Sequence, residues 1–408
     1  MFSRVMKRRV LTGVAAAATA VAVLAGCSSN PAPAEPTGAD TSAPAEHAKG
    51  EFKVTITSVA ADKSVMRPMQ EWYMDEIEAR TNGAVEFHRT TNNELCPQAD
   101  QFACIEDGSA QLIVQVPNYQ PTIFAPQSLP EITFGTNNSA AITAALAEQA
   151  ETNADVKAFL DAKNLKHVST WSVGRILLGA NKALNSVADL NGLTMRTAGT
   201  IAAPNLAAAG VVPTQVTADE AYNSFSTGLV GSAAGAMDFV VAWKLGEVLS
   251  EWVDPGLGVY SEFAMYWAKD YYDAFPDDIK AIIDEVGAEL NSGAAIEVWQ
   301  NGYKSAAGVE FLGTTQECEL ILGTPNVKSM TAWDDAAVAE FEALGATVDG
   351  VNMTSDELWI KNVTAAGLNG AEGILKEYRD LVKKYEAQFT APNQVEDPVT
   401  TCINKFNS

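Results

Sequence analysis

Positive charge is scarce in this sequence. Its 408 residues include 27 lysines and arginines against 51 aspartates and glutamates, which gives a formal net charge of −24 at pH 7. A surface this acidic repels the phosphates of nucleic acids and anionic lipid headgroups. The composition therefore argues against both partners, and it makes any pocket for an anion a local exception.

Histidine and cysteine are also rare, with three and five residues. No C-x-x-C pair occurs, and His47, His88 and His167 are scattered, so a metal site is weakly supported. The chain has no G-x-S-x-G, H-E-x-x-H, Walker A or G-x-G-x-x-G pattern. We therefore expect neither a catalytic residue nor a cofactor. A secreted hydrolase of the glycosidase kind stays open as an alternative, because it needs only two carboxylates.

The N-terminus carries an export signal. A basic leader precedes an apolar run over residues 10–25, which is too short to span a membrane comfortably. The run ends in Leu24-Ala25-Gly26-Cys27, which resembles a bacterial lipobox, and this resemblance implies cleavage after residue 26 and lipidation of Cys27. The alternative is an ordinary signal peptide with an incidental cysteine.

Residues 27–50 form a candidate tether, because Ser, Pro, Ala and Thr dominate them and cannot build a core. We expect a protein anchored to the outer face of the cell membrane by its lipidated Cys27. Removal of residues 1–26 leaves 51 acidic and 23 basic residues, a net charge of −28. About 358 residues remain beyond the tether, which is enough for two lobes with separate cores.

Four cysteines remain in the exported part: Cys96, Cys104, Cys318 and Cys402. An even number outside the cytoplasm indicates disulfides, with three possible connectivities. We favour Cys96 with Cys104, which closes a short loop, and Cys318 with Cys402, which fastens the C-terminal tail to the body.

The order of elements predicts an α/β fold. Strands are expected at 52–57, 84–89, 111–116, 166–173, 176–180, 193–197 and 236–243, and helices at 68–80, 97–107, 139–160, 217–228, 333–344 and 355–385. A T-x-x-E capping box at Thr217 starts one of these helices. A helix from Pro276 to about Phe311 would be roughly 50 Å long, enough to serve both lobes.

Arg196 is the central candidate for a binding site. It lies on a short strand followed by a helix, a place where open α/β sheets tend to bind ligands. At the chain's average, the window 162–218 would hold about seven acids, but it holds only Asp189 beside Arg175 and Arg196. A buried guanidinium needs a counter-charge and matches a carboxylate with two parallel hydrogen bonds. Our hypothesis is that the ligand supplies this charge; solvation or pairing with distant acids is the alternative.

These residues resemble the extracytoplasmic solute receptors of TRAP (tripartite ATP-independent periplasmic) transporters, of the dicarboxylate-receptor type. Asp189 to Arg196 is similar to the family motif D-L-x-G-x-x-x-R, whose arginine binds a substrate carboxylate, and Gly174-Arg175 resembles an auxiliary arginine. The segment that begins at Trp243 and the segment 270–276 also match. The resemblance implies a periplasmic-binding-protein-like fold with two lobes, a hinge and a long helix shared by both.

The chain departs from the family at two places. The stretch 230–235 lacks a polar contact that the family often has, and Ala218 stands where an aromatic wall is common. Candidates for that wall are Tyr119, Trp171, Phe239 and Trp243, although aromatic residues at such spacing often belong to a core.

We therefore expect a receptor that captures a small organic acid between two lobes and passes it to the membrane permease subunits of a TRAP transporter. The expected lobes are 51–172 plus 262–310 and 173–261 plus 311–390, followed by a tail at 391–408. A receptor for an ABC importer is a further alternative, because it would capture its ligand in the same way.

Overall fold

The computed structural model describes residues 46–90, 92–259, 262–389 and 397–408. The expected signal peptide, Cys27 and most of the tether lie outside the described residues. Within them, the strands are β1 Phe52–Ser58, β2 Val85–Arg89, β3 Leu112–Gln115, β4 Leu165–Ser172, β5 Leu177–Ala180, β6 Thr194–Thr197, β7 Val212–Gln215, β8 Ser232–Gly235, β9 Glu251–Asp254, β10 Glu262–Ala268, β11 Tyr303–Lys304, β12 Glu310–Phe311, β13 Ser329–Ala332, β14 Ala346–Val348 and β15 Val351–Met353.

Helices surround these strands. They are α1 Arg67–Arg80, α2 Phe102–Glu106, α3 Ser139–Thr152, α4 Ala154–Asp161, α5 Ala203–Ala208, α6 Ala218–Ser226, α7 Met237–Val241, α8 Lys269–Asp273, α9 Asp277–Glu289, α10 Ala295–Asn301, α11 Thr314–Leu322, α12 Asp335–Leu344, α13 Ser355–Ala365, α14 Ala371–Gln388 and α15 Pro398–Phe406.

The first sheet has five strands in the order β2-β1-β3-β10-β4. Strand β1 pairs in parallel with β2 and β3, while β10 runs antiparallel to β3 and β4. Apolar side chains such as Val54, Ile56 and Val114 are fully buried on this sheet. The early βαβαβ pattern in the sequence correctly predicted its parallel half.

The second sheet has six strands in the order β13-β9-β5-β8-β6-β7. Strand β6, which carries Arg196, lies between β7 and β8 and runs parallel to both. Strand β5 runs antiparallel to β8 and β9. The two sheets give the chain its two-lobed α/β architecture, and Arg196 lies on the strand next to the β7 edge of the second one.

The two sheets draw their strands from different stretches of chain. Strands of the first sheet fall within 52–172 and 262–268, and those of the second within 177–254 and 329–332. Helix α14 packs against α3, which in turn contacts β4 of the first sheet. The expected division assigned 311–390 to the second lobe, so the packing of α14 places this helix with the first sheet instead.

Three predicted elements are wrong, and one of them is the helix expected at 355–385, which is divided into α13 and α14. The apolar stretch 236–243 was expected to be a strand, but strand β8 ends at Gly235 and helix α7 follows. A single helix was expected at 139–160, but Asn153 interrupts it. The Asn153 side chain accepts hydrogen bonds from the backbone N–H groups of Asp155 and Val156 and so begins α4.

The long helix is shorter and less regular than the sequence indicated. Helix α9 passes through a π turn at Leu290–Ala294, where Gly293 has a φ of 147°, and continues as α10 to Asn301. Gly302, with a φ of 73°, ends it, and the hairpin β11-β12 occupies the expected last turns. A side chain at 302 would meet the Phe311 carbonyl oxygen, so the close approach of this hairpin requires glycine.

Both favoured disulfides are present. Cys96 bonds Cys104 across eight residues, and Cys318 of α11 bonds Cys402 of α15 across 84 residues. The second bond fastens the C-terminal helix to the body of the protein, as the sequence analysis proposed.

Candidate functional site

Arg196 is fully buried and held in one orientation. Its Nε donates a hydrogen bond to the Val216 carbonyl at 2.8 Å, and its Nη1 donates to the Ala234 carbonyl at 3.1 Å. Val216 follows β7, and Ala234 belongs to β8, so both neighbouring strands position the guanidinium. These two contacts fix the orientation of the guanidinium.

Aromatic side chains surround this guanidinium. The Arg196 Cζ lies 4.5 Å from the centroid of the Phe239 ring, a cation–π distance. Phe239 packs at 6.4 Å from Trp243. Arg196 also hydrogen-bonds Tyr119; burial raises the pKa of this tyrosine, while the arginine's charge opposes the rise. The structure thus brings together four of the six predicted ligand-binding residues.

A narrow cleft between the two sheets adjoins these residues. Its cavity volume is about 10 Å³, which is about enough for one water molecule. The cleft must open to admit an organic ligand. Its lining residues are Val59, Gln98, Val116, Tyr119, Val173, Ala218, Asp238, Phe239, Trp243 and Phe263.

Asp238 links the two sides of this cleft. It belongs to α7, and its carboxylate accepts hydrogen bonds from Ser64 Oγ at 2.9 Å and from the Val65 backbone N–H at 3.2 Å, both in the loop between β1 and α1. Burial raises the pKa of Asp238 to about 6, although hydrogen bonds from these groups and from Trp243 oppose the rise.

Glu317 of α11 is the buried partner of Asp238. Burial, together with the charge and hydrogen bond of Asp238, holds the pKa of Glu317 well above its ordinary value. Burial and the mutual repulsion of the two carboxylates therefore favour a proton on this pair.

The start of α6 is also held across the cleft. The Ala218 N–H donates to the Tyr119 hydroxyl at 3.0 Å, and the Asp219 N–H donates to Gln98 Oε1 at 3.4 Å. Thr217 occupies the N-cap, but its side chain makes no capping hydrogen bond. The capping box predicted there is wrong, and the amides of Ala218 and Asp219 instead have acceptors from the segments that precede and follow β3.

Arg175 is not among the residues that line the cleft, and it has acidic partners. Its guanidinium pairs with Asp254 at the end of β9 and with Asp397 and Thr400 at the start of α15. Both acids are distant in sequence, so the acid-poor window around Arg175 does not leave it without a counter-charge. The ligand is therefore not needed to neutralise this arginine.

Trp171 is not among the residues that line the cleft, although its neighbours Val173 and Phe263 are. It is 2% exposed on β4, opposite Phe263 of β10, and belongs to the core. The sequence analysis missed Asp238, Gln98 and Ser64. A single acid inside the apolar stretch 236–243 was a usable signal for Asp238, but nothing local distinguishes the other two.

No group of three or more His, Cys, Asp or Glu residues in the described ranges is arranged to hold a metal ion. No helix there is both long enough and apolar enough to cross a membrane.

Comparison with known families decides the identity of the fold. A family model described as bacterial extracellular solute-binding protein, family 7, matches residues 56–307. The chain belongs to this family. No curated protein matches the chain by sequence.

Solved structures of TRAP solute-binding proteins resemble this family 7 receptor closely in fold. One from Rhodoferax ferrireducens, in complex with benzoate, has a TM-score of 0.68 at 19% identity, and the match covers 83% of this chain and 100% of that one. A marine metagenome protein in complex with 3-hydroxybenzoate has a TM-score of 0.68 at 20% identity, over 82% and 99% of the two chains. A Desulfovibrio salexigens protein with bound orotic acid has a TM-score of 0.65 at 19% identity, over 82% and 99%.

These matches confirm the resemblance seen in the sequence. The protein is a bacterial extracellular solute-binding protein of family 7, and its two-lobed α/β fold is that of the TRAP solute-binding proteins it resembles.

Proposed function

We propose that this receptor captures a small organic acid in the cleft between its two sheets, with Arg196 binding the carboxylate, and delivers it to the membrane subunits of a TRAP transporter. No chemical step is needed for this function. Tyr119, Phe239 and Trp243 would form the walls of the site, and Arg175 would stabilise the fold instead of binding the ligand.

The buried guanidinium of Arg196 carries this proposal. Two backbone carbonyls hold it beside the cleft, and Tyr119 and Phe239 lie between the two sheets next to it. A carboxylate is the anion whose two oxygens match the planar fork of a guanidinium. Water is excluded from a closed cleft, which strengthens such a pair.

The ligands of the similar structures point the same way. Benzoate, 3-hydroxybenzoate and orotic acid are all carboxylic acids. Because these proteins share at most 20% identity with the chain, their ligands support only the class of ligand and not its identity.

Ligand entry requires the two lobes to separate. A cavity of about 10 Å³ cannot hold nine heavy atoms of benzoate, so the cleft must widen first. The hydrogen bonds from Ser64 to Asp238 and from Ala218 to Tyr119 join opposite sides of the cleft and would break on opening. We propose the divisions near 172, 261 and 310 as the hinge positions, with α14 moving with the first sheet.

A thermal-shift screen of residues 29–408 against benzoate, 3-hydroxybenzoate, mandelate, orotate and pyroglutamate tests the binding role. An acid at a hundred times its dissociation constant should add about 2.7 kcal/mol to the free energy of unfolding. Arg196→Ala should abolish this gain, and Arg196→Lys should weaken it, because an ammonium group cannot reproduce the fork. Equal shifts in wild type and Arg196→Ala would contradict the role of this arginine.

We propose that Cys27 is the lipid attachment site and that residues 27–50 hold the receptor at the outer face of the membrane. A cysteine carrying two acyl chains anchors stably, whereas one chain does not. Mass spectrometry of the purified N-terminus should find a diacylated Cys27, and Cys27→Ser should release the protein from the membrane fraction. An unmodified N-terminus beyond residue 27 would favour ordinary secretion.

A further inference from the structure

Three polar side chains lie among the apolar residues that line the closed cavity, but their polar atoms do not face it. In the part of the chain that the structure describes, the lining includes no lysine and no arginine, and its one acid is Asp238. Gln98 and the hydroxyl of Tyr119 are the other polar groups, and both accept backbone N–H groups of α6. Beyond the place for one carboxylate at Arg196, the cleft thus offers mainly apolar surface.

Arg175 is not available to bind a second carboxylate of a ligand. Arg175 pairs with Asp254, whose side chain is 3% exposed, and with Asp397. A ligand carboxylate would have to displace one of these acids, and displacement would leave a buried carboxylate without its counter-charge.

Asp238 is fixed in place by groups on both sides of the cleft. Ser64 and the Val65 amide donate to its carboxylate from the first sheet's side, and Glu317 of α11 hydrogen-bonds with it. The position of the Asp238 carboxylate is therefore set before any ligand arrives.

We propose that the cleft selects acids with a single carboxylate on an apolar body, and that Asp238 excludes ligands with a second carboxylate. This inference rests on the proposed binding of one carboxylate by Arg196. A second carboxylate would lie in the cleft beside the Asp238 carboxylate and without a cationic partner. Like charges brought together in a desolvated site disfavour the wrong ligand strongly, and the strongly negative net charge of the chain acts in the same direction.

Two matched pairs of acids test this selectivity. Benzoate and terephthalate share a ring and differ by one carboxylate, and hexanoate and adipate form the aliphatic pair. Calorimetric titration of residues 29–408 should give at least tenfold weaker binding of the dicarboxylate within a pair. A dicarboxylate that binds as tightly as its partner, or more tightly, overturns the inference and leaves the proposed carboxylate receptor standing.

Asp238→Asn tests the residue responsible, and Ser64→Ala is its matched control. Ser64→Ala removes the same hydrogen bond across the cleft but leaves the charge of Asp238, so it should weaken both acids of a pair equally. Asp238→Asn should lower the ratio of the dissociation constant of the dicarboxylate to that of the monocarboxylate at least threefold. An unchanged ratio in folded Asp238→Asn, checked by circular dichroism, would refute the role of Asp238.

The wild-type ratio decides the ligand class even if Asp238→Asn does not fold. Glu317→Gln then tests the residue: its amide can donate to Asp238 permanently, so the charge stays on Asp238 and the exclusion of dicarboxylates should persist. Loss of discrimination in Glu317→Gln would count against Asp238. Failure of both members of both pairs to bind would remove the inference, and failure of every acid in the thermal-shift screen as well would remove the proposed function.

Discussion

Asp238 should make this receptor more stable as the pH falls from 8 to 5. Burial raises its pKa from 3.8 to about 6. The difference of about 2 pKa units corresponds to about 3 kcal/mol at 1.36 kcal/mol per unit. Because the folded-state pKa is above the unfolded one, the folded protein binds more protons. The contribution of Asp238 is therefore complete below about pH 4 and lost as the pH rises through about 6.

The change in the free energy of unfolding can be measured by urea denaturation at pH 8 and pH 5. With these two pKa values, the unfavourable contribution of ionised Asp238 is about 3 kcal/mol at pH 8 and about half of that at pH 5. Wild type should gain about 1.5 kcal/mol from this residue on acidification. Asp238→Asn, which has no proton to bind, should lack that gain.

Asp189→Asn is the control with the opposite sign. Backbone N–H groups of Asn185 and Ser186 hold the pKa of Asp189 below its usual value, so its contribution is lost, not gained, as the pH falls. The Asp189→Asn protein should therefore keep the stabilisation that Asp238 provides at pH 5. Equal pH dependence of unfolding in wild type and Asp238→Asn would refute the reasoning.

Three further substitutions follow from the contacts. Replacing Cys318 and Cys402 together by serine should lower the free energy of unfolding by about 4 kcal/mol, measured by urea denaturation, because the disulfide closes a loop of 84 residues. Arg175→Ala should destabilise by about 3 kcal/mol, because Asp254 loses its partner, yet titration should show nearly unchanged affinity for the acid. Tyr119→Phe should weaken acid binding in the same titration by about 1 kcal/mol, since it removes an acceptor that closes the cleft.

Local patterns correctly predicted the elements whose packing and turn residues lie close together in the sequence. Alternating apolar residues predicted β1, and the proline at the start of α1 and the positive-φ glycine beyond its end bracketed that helix. The strand of Arg196 followed from Gly192 and the alternation after it. In each of these cases, burial of one face and the turn residues are visible within about ten residues of sequence.

Patterns that depend on distant partners failed. The window around Arg175 contains only one acid, but Asp254 and Asp397 approach it from 79 and 222 residues away. The apolar stretch around Asp238 has the composition of a buried strand, yet it forms a helix in which Asp238 accepts hydrogen bonds from the loop before α1. No periodicity in a single stretch can show such a partner.

The capping box at Thr217 shows why these failures gather at the cleft. Its residues match the T-x-x-E pattern, and an isolated helix would be expected to form the capping hydrogen bonds. In the folded chain, Tyr119 and Gln98 accept the first amide hydrogens of α6 instead, so the helix is completed only when the two sheets meet. Opening the cleft would leave these amides without those acceptors, and the Thr217 hydroxyl at the N-cap could then accept the Asp219 amide. Residues that obey a local rule in sequence but not in the closed fold are thus candidates for groups that exchange partners when the receptor opens.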